Sequence, residues 1–430
     1  MSNLSLMRIF RAVVGSWVVG LALGAGAVPA YGAGASPLPQ EASVDTLESG
    51  RIIVRNPLPR RGGGPDEWRL VEELRLGQVD GTGPEVFGDV HDVAVDERGN
   101  IYVLDVGSKE VRVFDRGGRF LRRIARGGEG PGEVRYWESL GQALVFQPPN
   151  RVWIGDGLQQ LSFDSLGNEL SRIGGFPLRG GRPWSRIVAA DDQGFVYQQV
   201  RVMDVEQSGE ETISRGFTYG VRLPVYPEHP NPVLPRDSVL LDSRSSTRTM
   251  QSRRESGGTI SVGGIVKVSI PRRVWGFSRG ETVWVANRAA YRFHEVAFAG
   301  DTIRTIELGD PPPPPPDDSD ESEFEPLVAN LDVSPEGWLW VLRFPDDPED
   351  PDRRPTWDLF DNCGRYRGEV SAPARIATIR FGGEMVDPID LGAGGVVHGV
   401  ARDTLDLSYV LRLRLESEGG APPTREACPY

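Results

Sequence analysis

Glycines at 127, 128, 130 and 132, in the run Arg126-Gly-Gly-Glu-Gly-Pro-Gly-Glu133, invite an anion-binding reading. Glycine lets successive backbone N–H groups converge on an oxyanion. The run lacks the Gly-Lys-Ser/Thr ending and the following helix of a phosphate loop. Asp80-Gly-Thr-Gly-Pro-Glu-Val-Phe87 has the same character earlier in the chain, so a recurring turn is the expected use. His294-Glu295 opens like a zinc-protease motif, but Phe298 stands where the second histidine belongs. There is no Cys-x-x-Cys, and no catalytic residue is assigned. With four histidines in all, His91 and His398 are the two best placed for a metal, and a third partner is not evident. Asp105 and Asp156 close apolar runs, where a carboxylate suits a polar ligand or a cation; its commoner use is to accept bonds inside its own turn. Trp137 and Trp184 have the type that stacks on sugar or peptide groups, although burial is the commoner fate of such rings. Lys109, Arg182 and Arg186 supply nearby positive charge.

Short strands must carry these residues. Gly (53) and Pro (35) are abundant while 39 % of the 430 residues are hydrophobic, a balance that favours many strands and tight turns over helices. Between residues 99 and 124 two alternating runs are punctuated by glycine turns. Strands are predicted at 92–96, 101–105, 111–115 and 119–125. The aliphatic-aromatic pair Ile101-Tyr102 returns as Val152-Trp153, Val196-Tyr197, Val283-Trp284 and Leu339-Trp340, and more faintly as Val397-His398. The rings of these pairs are read as core. A second marker, Phe-Asp-x-x-Gly, recurs at 114–118, 163–167 and 360–364, where Asp accepts turn N–H groups and Gly takes the positive φ of a bulged hairpin. A unit of four strands repeated every forty to fifty residues or so is the signature of a β-propeller blade. The fold class is therefore all-β, a six-bladed β-propeller of four-stranded antiparallel blades. The last unit, 375–416, lacks a fourth strand, and residues 67–77 are expected to supply it and close the ring.

The formal net charge of −13 repels phosphate backbones and anionic lipid, so nucleic acid is excluded as a natural partner. Residues 1–32 have the form of a signal peptide: Arg8 and Arg11, an apolar stretch from Ala12 to Ala27, and small residues near cleavage points after Ala30 or Gly32. Residues 33–66 are read as a flexible linker, 67–416 as the propeller and 417–430 as a tail. No later segment approaches a membrane-spanning length, so no membrane span is expected after cleavage. An exported chain, periplasmic or extracellular, meets an oxidising compartment where its two cysteines can pair.

The stretch from Phe87 to Glu133 resembles the NHL-type repeat of exported bacterial six-bladed propellers, including their Gly-Pro-Gly-rich link between blades. The resemblance is good over blades one and two, fair in five and weak in the rest. It implies that the working face is the one where strands B and D end. Four long connections fall on that face: 203–215, 243–270, 310–326 with its six prolines and acidic run, and 345–355. The six prolines should form a stiff rod of roughly 19 Å; charge pairing of the acids that follow with Arg244, Arg248, Arg253 and Arg254 would make it a lid, and solvated decoration is the equal alternative, since exposed ion pairs contribute about 0–1 kcal/mol. On the opposite face Cys363 lies in the C–D turn of blade five, and Cys428 follows the last strand closely enough to clamp the tail there. The expected function is an exported binding or interaction protein for a protein, peptide or carbohydrate ligand, with Asp105, Lys109, Trp137, Asp156, Arg182, Trp184 and Arg186 as contacts and no cofactor. The alternative is a hydrolase or lyase with a calcium or zinc ion in the central funnel, held with His91 and His398.

Overall fold

The computed structural model describes residues 41–430 apart from 59–66, 135–143, 156–158, 175–183, 209–210, 225–237, 256–257, 269–272, 279, 281, 312–325, 348–349, 351, 378, 382–383, 387–388 and 419–422. The chain is a six-bladed β-propeller. Blade one runs A to D through Val90–Val95, Ile101–Asp105, Glu110–Phe114 and Phe120–Gly127, all antiparallel neighbours in order. Blades two and five repeat the pattern from Leu144–Gln147 to Glu169–Gly174 and from Val328–Val333 to Tyr366–Ser371. The A strands form the inner ring, each packing on an A strand of a neighbouring blade.

The repeat pair explains how blades stack. Ile101 and Tyr102 are both fully buried, because alternate side chains of strand B face the preceding and the following blade. Tyr102 packs with Val152, Ile154 and Phe163 of blade two. Trp153 packs with Ile187 and Val200 of blade three, Tyr197 with Val283 and Phe298 of blade four, and Trp340 with Leu413 and Leu415 of blade six. Each such ring contributes roughly 2–3 kcal/mol of transfer free energy. The Phe-Asp-x-x-Gly turns lock the outer edge. Oδ1 of Asp115 accepts the N–H groups of Gly117 and Arg119, both at 2.9 Å, and Asp164 and Asp361 repeat the pair of bonds. Gly364 has φ of +79°, and a Cβ there would lie 2.8 Å from Ile306 of blade four, so both backbone and packing demand glycine.

Ring closure is as expected. Trp68–Leu76 pairs antiparallel with Ser408–Ser417 and completes blade six as its outer strand. Three boundaries differ from the sequence reading. Within the expected linker 33–66, Ser43–Thr46 and Ile52–Asn56 form a hairpin, and the second strand joins blade four, parallel to Thr302–Leu308. Val54 is fully buried there. A three-residue apolar run among polar neighbours gives no local signal, and its partner lies far along the chain. The expected loops 203–215 and 243–270 are largely strand. In blade three Phe195–Ser208 pairs with Glu211–Pro224, and Ser238–Glu255 pairs with both Glu211–Pro224 and Gly258–Val268. Backbone ladders alone satisfy these N–H and C=O groups, so no hydrophobic alternation was needed to mark them.

Candidate functional site

The face at which strand B ends is called the upper face. Blade three dominates it. By register Val200 stands level with Asp105, so residues 201–208 continue the strand by about 26 Å past that level at ~3.3 Å per residue. With Glu211–Thr218 and the upper part of Ser238–Glu255 they form an upright antiparallel sheet, edged outside by Gly258–Val268. Asp204, Val205 and Glu206 on it are exposed. The four connections placed on this face thus divide: two are this wall, 312–325 of the proline-acidic link lies outside the described residues, and 345–355 is a described turn only in part.

Several sequence candidates serve the frame. Asp105 is completely buried. Its carboxylate accepts the N–H groups of Gly88 and Asp89 at 2.9 Å and Ser108 at 3.0 Å, and lies 3.2 Å from the Arg112 guanidinium. Burial pushes its pKa up, but those backbone donors hold it below the usual range. Arg112 in turn donates to the carbonyls of Pro84 at 2.7 Å and Val86 at 2.6 Å, tying the inter-blade link to blade one. Asp105 therefore serves its own turn, with its carboxylate enclosed by these donors. Lys109 is exposed in the same turn with φ of +56°, and its carbonyl accepts Gly127 N–H at 2.8 Å. In the glycine-rich run, Gly130 N–H is taken by Glu133 at 2.8 Å and Gly132 N–H by Glu169 at 2.7 Å. Those donors are already spent on carboxylates, in keeping with a turn. Trp137, Asp156 and Arg182 lie outside the described residues, and Trp184 is described only as the first residue of strand A in blade three.

Among the described residues no contact joins His91 to His398. His91 is bonded through Nε2 to Asp89 Oδ2 at 3.1 Å, and Asp89 also binds Arg402, which reaches Asp406 at 3.2 Å. His398 takes the aromatic slot of blade six, facing blade one beside Arg412, and is 4 % exposed. Burial, reinforced by Arg412, pushes its pKa down to about 4, and its Nδ1 has no partner. Among the described residues no three His, Cys, Asp or Glu side chains group as metal ligands.

Arg186 survives as a candidate, and Asp92, which the sequence reading passed over, joins it. Both sit on inner strands. Asp92 pairs with Leu104 and Arg186 with Gln199, each two residues past the slot aromatic of its blade, which puts both at one level near the upper mouth. Asp92 accepts the N–H groups of Val93 and of Leu144 on blade two, each at 2.9 Å. Asp390 of blade six repeats the device by accepting Val95 N–H of blade one at 2.7 Å. Inner strands have an unpaired edge, and acids from the preceding blade cap part of it. Burial pushes the Asp92 carboxyl up to about 6 against the opposing pull of Arg186. The Arg186 Nε is buried with no hydrogen-bond partner. A lone Asp among apolar strand residues was the only signal available for Asp92.

On the lower face the disulfide Cys363–Cys428 is formed, with Cα atoms 5.3 Å apart. Asn362 pairs with the backbone of Glu426 in both directions, at 2.8 and 2.9 Å. The Tyr430 hydroxyl donates to Cys363 O at 2.8 Å and accepts from Arg304 at 2.9 Å. Trp338 donates to Thr424 O at 3.1 Å. The tail thus ties blade five to blade four. No described helix is long and apolar enough to cross a membrane.

A family described as a 6-bladed beta-propeller, DUF5128, matches residues 80–139. No curated protein matches the chain. Among solved structures, a member of the DUF4221 family from Bacteroides vulgatus is 8 % identical, covering 82 % of this chain and 99 % of its own, with a TM-score of 0.42. A gluconolactonase from Xanthomonas campestris is 11 % identical, covering 76 % and 86 %, with a TM-score of 0.38. A virginiamycin B lyase from Staphylococcus aureus is 8 % identical, covering 81 % and 99 %, with a TM-score of 0.36.

Proposed function

We propose that this propeller is an exported, NHL-like binding protein that receives a protein, peptide or carbohydrate ligand on its upper face, between the blade-three wall and the channel mouth. The observation that carries the reading is the wall: only blade three, among the described blades, extends its strands so far above the ring. A rigid frame with one raised sheet presents area without chemistry. One further feature supports it: the singled-out acid Asp105 is consumed by its own turn. Export rests on the signal-like residues 1–32 and fits the Cys363–Cys428 bridge.

The test is a glycan and peptide array probed with the full chain and with a variant in which residues 203–213 and 244–268 are replaced by short turns. The native chain is expected to retain a defined ligand, and the shortened chain to lose it while melting within a few degrees of native. Retention by the shortened chain would remove the wall from the reading. Multiple turnover on a panel of lactones and esters would replace binding by catalysis.

A further inference from the structure

The upper channel mouth carries two opposite charges that do not satisfy each other. Arg186 and Asp92 come from blades three and one, with the inner strand of blade two between them. Their separation exceeds 4.0 Å, because no ion pair joins them, yet Arg186 pulls on the Asp92 carboxyl. Among the described residues no hydrogen-bond or ion-pair partner faces the Arg186 guanidinium, and its Nε is cut off from solvent. A guanidinium in that position normally has a carboxylate in bonding contact. Asp92 is held by two backbone N–H groups, one of them from blade two, so it is fixed and cannot swing to Arg186 without abandoning the Leu144 edge. Each of its oxygens accepts one bond and keeps a second lone pair free. Asp390 of blade six adds negative potential on the Asp92 side.

A fixed anion and a cation without a partner among the described residues, held apart at one level, are the electrostatic complement of a ligand that carries the reverse pair. We propose that Arg186 and Asp92 form a paired-charge site for the carboxylate and ammonium of a zwitterionic ligand of the amino-acid class, Arg186 taking the carboxylate and Asp92 the ammonium. The proposal deepens the upper-face reading and rests on it, since it names the chemical group that reaches the channel mouth from that face. A dianionic phosphate is disfavoured by the two acids, and a simple cation leaves Arg186 unbonded.

The experiment is calorimetric titration of the full chain at pH 7.5 with three probes: L-alanine, acetate and ethylammonium. L-Alanine is expected to bind at least tenfold more tightly than either half. Arg186→Met and Asp92→Asn should each weaken it at least tenfold, and Arg186→Lys, which keeps the charge, should recover part of the loss if the Met variant does not fold. The wall-shortened chain keeps both residues and should bind L-alanine undiminished, so loss of the array ligand with retained alanine binding separates the two readings. Equal binding of acetate and alanine, no heat with any probe, or binding unchanged in Arg186→Met would overturn the paired-charge site.

Discussion

At the scale of single residues, His398 and Asp92 bend the pH dependence in opposite directions. His398 is neutral in the folded chain until about pH 4, whereas an unfolded histidine protonates near 6.5. Stability is therefore lost as pH falls through that window, by on the order of 3 kcal/mol. Asp92 is raised to about 6 from 3.8, so its contribution runs the other way: stability present below 3.8 is lost as pH rises through about 6. Between pH 4 and 6 the two slopes should nearly cancel. His398→Phe is expected to expose the Asp92 slope, with stability rising on acidification, and Asp92→Asn to expose the His398 slope, with stability falling. Denaturant midpoints from pH 3.5 to 7.5 check this; parallel curves for the two variants would rule it out. Asp361 illustrates how context overrides a motif. Asp115 and Asp164 in the same turn have their carboxyls held low, by backbone N–H groups in both and by the Arg119 and Asn168 side chains, while burial pushes Asp361 up.

At the scale of elements, both ends of the described chain converge on the C–D turn of blade five. Asn56, the last residue of the N-terminal hairpin, donates to Gly364 O at 2.9 Å and accepts Tyr366 N–H at 2.8 Å. The tail holds Asn362 and Cys363 from the other side. Cys363→Ser with Cys428→Ser is expected to cost up to about 4 kcal/mol on a chain-entropy account of the closed loop. It should also make residues 423–430 the first site of limited proteolysis. Unchanged melting and unchanged cleavage would mean that the side-chain and backbone bonds hold the tail unaided. The Phe-Asp-x-x-Gly turns and the strands of blade one were legible because each requirement is local: a carboxylate acceptor, a positive φ, a period of two. The N-terminal hairpin and the blade-three wall were not, because their pairing partners are remote or their pattern is polar.

At the scale of the whole molecule, closure decides whether there is a fold at all. Trp68–Leu76 contributes Leu70 and Leu76 to two different inter-blade cores, toward blades five and one. Removing residues 1–77 should leave blade six with an open edge and yield aggregated or expanded chain, whereas removing residues 1–58 should leave a folded ring of lower stability. Size-exclusion elution and near-ultraviolet dichroism distinguish these outcomes. A folded, monomeric product from the longer truncation would show that three strands suffice for blade six.

The sequence by itself determined the blade repeat, the six-fold count, the ring closure and the lower-face disulfide, since each follows from periodic residue types or from where strands must end. Only the tertiary structure decided which polar residues remain available. Asp105 looked as open as any acid at a strand end until three backbone donors and Arg112 claimed it, and Asp92 looked like any strand residue until the ring brought it level with Arg186. Hydrogen-bond satisfaction is a property of neighbours, and in a ring the neighbours come from other blades, so no local pattern can record it.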